Sequence, residues 1–256
     1  MKYFFHEDYI FHLTTPEYEA AVFGYKIGEL RSISSKSINL EKTEIVSICH
    51  FEKYIIENEI KICTYRGEEK IGIIRLLMEL GFLFVGTFSE VSCKKEEFND
   101  LSYKKDFDFS IAGPDEYNEI LKLEATVFDY STFQIDPLVD LEIAFKRNKR
   151  RVKSYFNRSG HVIYVVRINE KIAGFLQFVI DPKENYADCV NGGIHPDFQK
   201  VSLGVVLYSK SFSKVFDTGI QLIKSGFGVQ NIAMSKIFSL FNFKLDSQEI
   251  HLRKFI

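Results

Sequence analysis

Apolar and polar positions along the chain follow two rhythms, and where one gives way to the other marks the elements. From Glu69 to Leu80 apolar residues recur at Ile71, Ile74, Leu77 and Met78, the spacing of one helix face. Gly81 then stands where a helix C′ residue takes a left-handed backbone, and Phe82 to Phe88 reads as a strand. The same punctuation returns near the C-terminus, with Ser235 to Phe241, then Asn242, then Phe243-Lys244-Leu245. Asn is the second choice for that left-handed position. The echo is either a coincidence of α/β grammar or a sign that the N-terminal part is a shortened relative of the C-terminal part; the second reading is preferred. Phe23 to Leu30 suggests a turn feeding a strand, so residues 1 to about 100 read as a small α/β unit.

Cys93 to Asp108 is charged and poor in aliphatic residues, which makes it the expected domain boundary. Beyond it Phe107 to Ala112 reads as a strand, and Gly113-Pro114-Asp115-Glu116 starts a helix with proline and acids where the first turn favours them. Tyr117, Ile120, Leu121, Glu124 and Phe128 form an apolar stripe with a polar edge. A polar and aromatic loop, Asp129 to Pro137, precedes a second helix from Leu141 to about Phe156. His161 to Arg167 and Ile172 to Ile180 are strands joined as a hairpin. Strand Ile220 to Lys224, a helix from near Asn231 and a closing strand His251 to Ile256 complete the order.

The stretch from Ala187 to Leu207 organises the rest. A β-prone run with paired glycines (Val190, Gly192, Gly193, Ile194) stops at Pro196, which cannot donate to a strand ladder. A polar turn follows, and from about Leu203 the pattern is helical. Such a strand–turn–helix joint leaves backbone N–H groups without partners at the positive end of a helix dipole, a site for a phosphate. Ser202 and Gly204 are small enough to let a diphosphate approach the main chain. The loop has neither G-x-x-x-x-G-K-[ST] nor G-x-G-x-x-G, so a P-loop and the usual dinucleotide fingerprint are excluded.

Composition narrows the class. The 256 residues suffice for one large domain or two small ones, and 25 Phe and 13 Tyr without Trp imply an aromatic-heavy interior. A net charge of -2 gives no electrostatic footprint for nucleic acid. Cys49, Cys63, Cys93 and Cys189 are scattered without C-x-x-C pairs, as reduced thiols of a cytoplasmic protein. The six His form no H-E-x-x-H or close pair, so no metal site is expected. The N-terminus MKYFFHEDYIFHL interrupts its apolar residues with His, Glu and Asp, unlike a signal peptide. The longest apolar stretch, near Gly81 to Phe88, is too short to span a bilayer, and no membrane partner is expected.

Ile194-His195-Pro196 followed by Gln199-Lys200-Val201-Ser202-Leu203-Gly204 resembles the acyl-CoA pyrophosphate loop of the GCN5-related N-acetyltransferases, V-x-P then [QR]-x-x-G-x-[GA]. Ser202 stands where that pattern has its first glycine. Asn231 to Phe243 is similar, register for register, to the family's N-x-x-A-x-x-[LF]-Y-x-x-x-G-F, and the element order from residue 107 matches as well. The resemblance implies an α/β fold with a mixed central sheet flanked by helices. It places an acyl-CoA-binding catalytic domain over 107–256 and a smaller, truncated N-terminal α/β domain over 1–100. It further implies that Ile194, Gln199, Lys200, Val201, Ser202, Leu203, Gly204, Val205, Asn231 and Phe238 contact acyl-CoA as cosubstrate. A splayed central strand would offer a backbone N–H near Gly193 or Ile194 to the thioester oxygen. The paired glycines either suit that opening or relieve crowding against a neighbouring helix.

Phe238 replaces the tyrosine that protonates the leaving thiolate in many relatives, which makes a positioning enzyme or a catalytically weakened CoA-binding protein. Asn191, Asp188 and His195 are the nearest candidates for a base, each with a bland reading as strand-end or turn residues. Asn231 serves as helix N-cap, as pantetheine contact, or as both.

Glu17 to Gly24 is similar to a D-S-x-x-F-G opening and Phe133 to Pro137 to an R-F-x-x-D-P loop, with Glu19, Ala20 and Thr132 departing from those patterns. Both occur in the branch related to TDP-fucosamine acetyltransferase. That resemblance implies a nucleotide-linked amino-deoxysugar acceptor destined for a surface glycan, held by Tyr130, Thr132, Phe133, Gln134 and Asp136. The competing readings are Phe133 as core, Asp136 as a helix N-cap, and a peptide or small amine as acceptor. The cationic run Lys146, Arg147, Lys149, Arg150, Arg151 and Lys153 is either a solvated helix face or an attractor for a polyanionic nucleotide or CoA.

Overall fold

The computed structural model describes residues 2–6, 9–33, 45–101, 107–127, 136–156 and 158–256, and these divide into two compact units. Unit 1 comprises Met1–Phe88 with Gln248–Ile256, and unit 2 comprises Ser89–Ser247. The boundary expected in the charged stretch 93–108 thus falls earlier, and the last nine residues belong to the first unit rather than to 107–256. The reason is pairing: the closing strand runs antiparallel to a strand of unit 1, in register from Glu249↔Glu68 to Phe255↔Ile62.

In unit 1, β1 (Lys2–His6) and β2 (Tyr9–Thr14) pair antiparallel, α1 (Glu17–Phe23) ends on Gly24 at φ 78°, and β3 (Lys26–Ile33) returns antiparallel to β2. β4 (Ile45–Ser47) lies parallel to β1. After α2 (Phe51–Glu57) comes β5 (Ile60–Glu68), parallel to β3, then α3 (Ile71–Glu79) and β6 (Leu83–Lys94). The strand order within the unit is β4–β1–β2–β3–β5–β12, with β12 (Lys244–Phe255) closing the chain. One sheet face carries Phe4, Phe11, Leu30, Tyr65 and Leu252, packed on Phe51, Ile55, Leu76, Leu77 and Phe82. The stripe of α3 that is buried is Ile73, Leu76 and Leu77, whereas Ile71 and Met78 are exposed, so the helix is rotated from the expected face. An aliphatic-rich helix offers two overlapping stripes, and only packing chooses between them.

In unit 2 the order is β6–β11–β10–β9–β8–β7. β7 (Asp108–Ile111), α4 (Tyr117–Val127) and α5 (Leu141–Tyr155) lead to the hairpin β8 (His161–Ile168) and β9 (Lys171–Asp181). Its two-residue turn, Asn169 and Glu170, takes positive φ at both positions, as a type I′ turn requires. β10 (Tyr186–Ile194), α6 (Leu203–Asp217), β11 (Leu222–Gly228) and α7 (Ile232–Leu240) follow. The closing strand begins at Lys244, seven residues ahead of the expected His251. One face of this sheet packs on α6 and α7 through an aromatic core. There Phe212 lies 4.9 Å from Phe243 and 5.6 Å from Phe241, ring centre to ring centre. The other face packs on α4 and α5 through Ile120, Leu123, Val152, Ile163, Val165 and Phe175.

Candidate functional site

The joint between β10 and α6 is built around one extra residue. β10 pairs antiparallel with β9, but the register shifts between Cys189, opposite Phe178, and Asn191, opposite Gln177, leaving Val190 as a bulge. Side-chain parity shows the consequence: Ala187, Cys189 and Ile194 all pack in the α6-side core, while Asn191 meets α4. On its other edge β10 pairs parallel with β11 only from Tyr186 to Cys189. The last carbonyl before the break, that of Cys189, accepts a hydrogen bond from Ser225 Oγ at 2.8 Å. Beyond Cys189 β10 makes no ladder pair on that edge.

Main-chain direction decides which donor points to that edge. His195 N–H bonds the Ala173 carbonyl of β9 at 2.9 Å. Successive N–H groups of a strand point to opposite edges, so Gly193 donates toward β9 while Ile194 presents N–H and C=O on the open edge. The Ile194 carbonyl accepts from Gln199 Nε2 at 3.2 Å, so Gln199 braces the loop. Of Gly193 and Ile194, Ile194 is the one whose N–H points away from β9.

The paired glycines answer to packing. A Cβ on Gly192 would stand 2.2 Å from Leu176 Cδ2 and 2.6 Å from the Phe175 carbonyl oxygen; one on Gly193 would stand 2.7 Å from Val127 of α4. Crowding by protein, on a strand and on a helix, thus accounts for both. Gly204 is different, because its Cβ would meet Ile194 and Ile237 at 3.6 and 3.7 Å, ordinary contact.

After His195, whose Nδ1 accepts from Asp197 N–H at 3.2 Å, a 3-10 turn spans Pro196–Val201 and carries Gln199, Lys200 and Val201. Ser202 then takes φ 58°, ψ 15°, and its side chain makes no cap. This is why the resembled pattern has glycine there: the position is left-handed, and serine occupies it at a cost of about 1–2 kcal/mol. With no side-chain cap, the N–H groups of Leu203, Gly204 and Val205 open the 15-residue α6 as a free positive end. Leu203 itself is buried in the core, so its contribution is main-chain only.

The remaining candidates are placed as follows. Phe238 is buried in the aromatic core, with its ring 5.6 Å from Phe227 and 4.9 Å from Phe243. Tyr208 of α6 stands edge-on to it; burial pushes its phenol well above its ordinary value, and its hydroxyl donates to Met234 Sδ at 3.3 Å. Asn231 caps α7, its Oδ1 accepting from Met234 N–H at 3.2 Å. Asp188 has its carboxyl raised by burial, opposed by the nearby Lys224 ammonium. Cys189 is buried and its thiol is pushed up to about 12, mainly by burial, which excludes it as a nucleophile at neutral pH. Tyr130, Thr132, Phe133 and Gln134 lie outside the described residues. Asp136 is buried, and its Oδ1 accepts from Leu138 N–H at 3.0 Å; the cap of α5 is instead Asp140, whose Oδ1 accepts from Glu142 N–H at 2.8 Å.

Sequence reasoning missed Glu124. It was read as the polar edge of α4, yet it is 2% exposed and its Oε1 accepts from Asn191 Nδ2 at 3.2 Å. Gln177, opposite Asn191 on β9, is fully buried too. A polar pin therefore joins α4 to the first residue after the bulge. Among the described residues no three His, Cys, Asp or Glu side chains gather as a metal site.

No protein-family model and no curated protein sequence matches the chain. Solved structures do share its fold. A functionally unknown conserved protein from Staphylococcus epidermidis is 13% identical, with a TM-score of 0.66 over 98% of this chain and 92% of its own. A GCN5-related N-acetyltransferase from Sphaerobacter thermophilus is 8% identical, TM-score 0.63, over 97% and 76%. A tandem GNAT protein from the clavulanic acid biosynthesis pathway is 11% identical, TM-score 0.63, over 96% and 78%. The chain thus has the mixed α/β fold of the GCN5-related N-acetyltransferases.

Proposed function

We propose that the protein is an acyl-CoA-dependent N-acyltransferase whose acceptor is the amine of a nucleotide-linked amino-deoxysugar. The observation that carries the reading is the bulge at Val190 where pairing with β11 ends, which directs Ile194 N–H away from β9 just ahead of α6, whose start no side chain caps. A diphosphate fits that start, where three main-chain donors and the helix dipole act together. Acyl-CoA supplies the thioester carbon on which the amine nitrogen forms its new bond as the C–S bond breaks. Ile194 N–H stabilises the charge that gathers on the carbonyl oxygen, a contribution worth about 10²–10³ in rate for one such donor. Phe238 offers no proton, so the sulfur leaves as thiolate, tolerable for a thiol of pKa roughly 8.5. An amino-sugar nitrogen of pKa about 8 is partly neutral near pH 7, and its proton passes to water.

The sugar acceptor rests on the resemblance of Glu17 to Gly24 and of Phe133 to Pro137, and a peptide or small amine is the competing acceptor. The test is thiol release from acetyl-CoA with a panel of TDP-amino sugars, peptides and small amines. The reading expects turnover on the sugars and a rate that climbs to about pH 8 without the falling limb of a tyrosine acid. Tight CoA binding without release would identify a CoA-binding protein, and no CoA affinity would end the reading.

A further inference from the structure

Glu124, Asn191 and Gln177 form one buried polar row where α4 meets the sheet. Asn191 Nδ2 donates to Glu124 Oε1 at 3.2 Å, while Gln177, opposite Asn191 on β9, has no hydrogen-bond partner for either Oε1 or Nε2. Apolar residues in these places would leave nothing unsatisfied, so stability does not account for the row. The register of β10 does. Beyond Val190 the strand reads Asn191, Gly192, Gly193, Ile194, and glycines leave a register weakly specified. Without the bulge Val190 would stand opposite Gln177 and Asn191 opposite Leu176, which belongs to the aromatic core with Phe178 and Phe212. Opposite residues share a sheet face, so the Asn191 amide would enter that core. Apolar burial alone does not decide against such a slip: it would cover Val190, 39% exposed, and displace Ile194, which is only half-buried. Asn191 decides, because only the bulged register brings its amide to Glu124.

We propose that Glu124 is a positioning residue of the proposed acyl transfer, holding β10 in the bulged register through Asn191. The register sets which residue stands opposite Gly174 of β9, at the open edge. In the bulged register it is Ile194, whose side chain also reaches α6: a Cβ on Gly204, in the first turn, would meet Ile194 Cγ1 at 3.6 Å. One residue thus ties the donor N–H to the start of the helix that would take the diphosphate. After a slip Gly193 would stand there with no side chain to make that tie, and the segment leading to α6 would be one residue longer. The catalytic consequence rests on the acyl-transfer reading; the register does not.

Residue-resolved amide exchange by NMR on the full chain, without acyl-CoA, tests the register separately from the activity. In the bulged register Gly193 N–H donates toward β9 and Ile194 N–H points away, so Ile194 should exchange about tenfold faster, the worth of one hydrogen bond. Glu124→Leu with Asn191→Leu makes the pair apolar and acceptable on either face, so that contrast should vanish while the protein stays folded. Should the double variant fold poorly, Asn191→Ala, which also fits either face, gives the same readout. Glu124→Gln keeps an oxygen for Asn191 Nδ2 and should keep the contrast. In thiol release the apolar pair should lose about 100-fold in kcat, as for a misplacement of roughly 1 Å, and Glu124→Gln should retain most of it. An apolar pair that keeps the contrast overturns the proposal, since Ile194 and the glycines would then fix the register unaided. A Glu124→Gln variant that keeps the contrast and loses kcat overturns it too, making Glu124 a proton acceptor. Wild-type protein without thiol release ends the acyl-transfer reading, and the exchange contrast still decides the register.

Discussion

Each unit strings three antiparallel strands to a parallel fourth: β1, β2, β3 and β5 in unit 1, β8, β9, β10 and β11 in unit 2. Each then adds helix, left-handed residue, buried phenylalanine and strand. After α3 the tail is Gly81, Phe82 and β6, whose residues from Ser89 belong to unit 2; after α7 it is Asn242, Phe243 and β12, whose residues from Gln248 belong to unit 1. The closing bonds match, with Phe82 N–H to the Leu77 carbonyl and Phe243 N–H to the Phe238 carbonyl, both 2.9 Å. The irregularities differ in place. Between β3 and β5 the extra residue is Lys61, at the start of the pairing, which then continues to Leu30. In β10 the bulge stands where pairing with β11 ends, and nothing restores it. The helices differ likewise, since α2 has seven residues against the fifteen of α6. The two units thus differ in where the extra residue falls and in the length of one helix.

The comparison can be broken most severely at its glycines. Gly192→Val in β10 forces a side chain onto β9 main chain and should cost about 3 kcal/mol, whereas Gly28→Ala in β3 meets only movable side chains at 3.0–3.3 Å and should cost about 1 kcal/mol. Urea unfolding of the two variants measures both; equal costs would mean that the β10 strand can move.

Acid should act next, through unit 1. His251 is stacked on Phe88, and burial, then Arg66, Arg253 and Arg31, lowers its pKa to about 3. An unfolded histidine binds its proton near pH 6.5, so the unfolded state gains protons first as pH falls. Stability is full above pH 6.5 and declines toward pH 3, by about 2 kcal/mol at pH 5. His251→Phe should flatten that decline in urea midpoints taken from pH 7.5 to pH 5.

The two helix ends sharpen the comparison on a smaller scale. Gly81→Ala, at φ 81°, should lose about 1 kcal/mol, while Asn242→Gly, at φ 62°, should gain ~0.5 kcal/mol because the strain removed exceeds the added freedom of the unfolded chain. Ser202→Gly should gain a similar ~0.5 kcal/mol and leave acyl-CoA affinity unchanged, as the serine side chain caps nothing. Thermal melts and calorimetry would show both, and a loss of affinity would assign the hydroxyl a role in the loop.

Much of the local structure was legible because its signals are local. Gly81 and Asn242 mark chain reversals by their backbone freedom, Asn169 and Glu170 sit in a two-residue hairpin, and Pro196 ends β10 as a residue without an N–H must. The loop from Gln199 to Gly204 was found by pattern, and Ser202 proved left-handed where that pattern has glycine. Glu124 was not legible, since a carboxylate on a helix stripe is ordinarily solvated and its burial depends on Asn191, 67 residues away. The same holds for Phe238, whose place in the aromatic core depends on Phe227 and Tyr208.

By itself the sequence determined element types, turn positions and the strand–turn–helix joint, because backbone preference and periodicity act over a few residues. Only tertiary structure decided which stripe of α3 is buried, that the chain's last strand joins unit 1, and that the N–H of Ile194 rather than of Gly193 points away from β9. Those outcomes turn on register across strands, where a single bulge reverses every direction beyond it and leaves no mark in the order of residues.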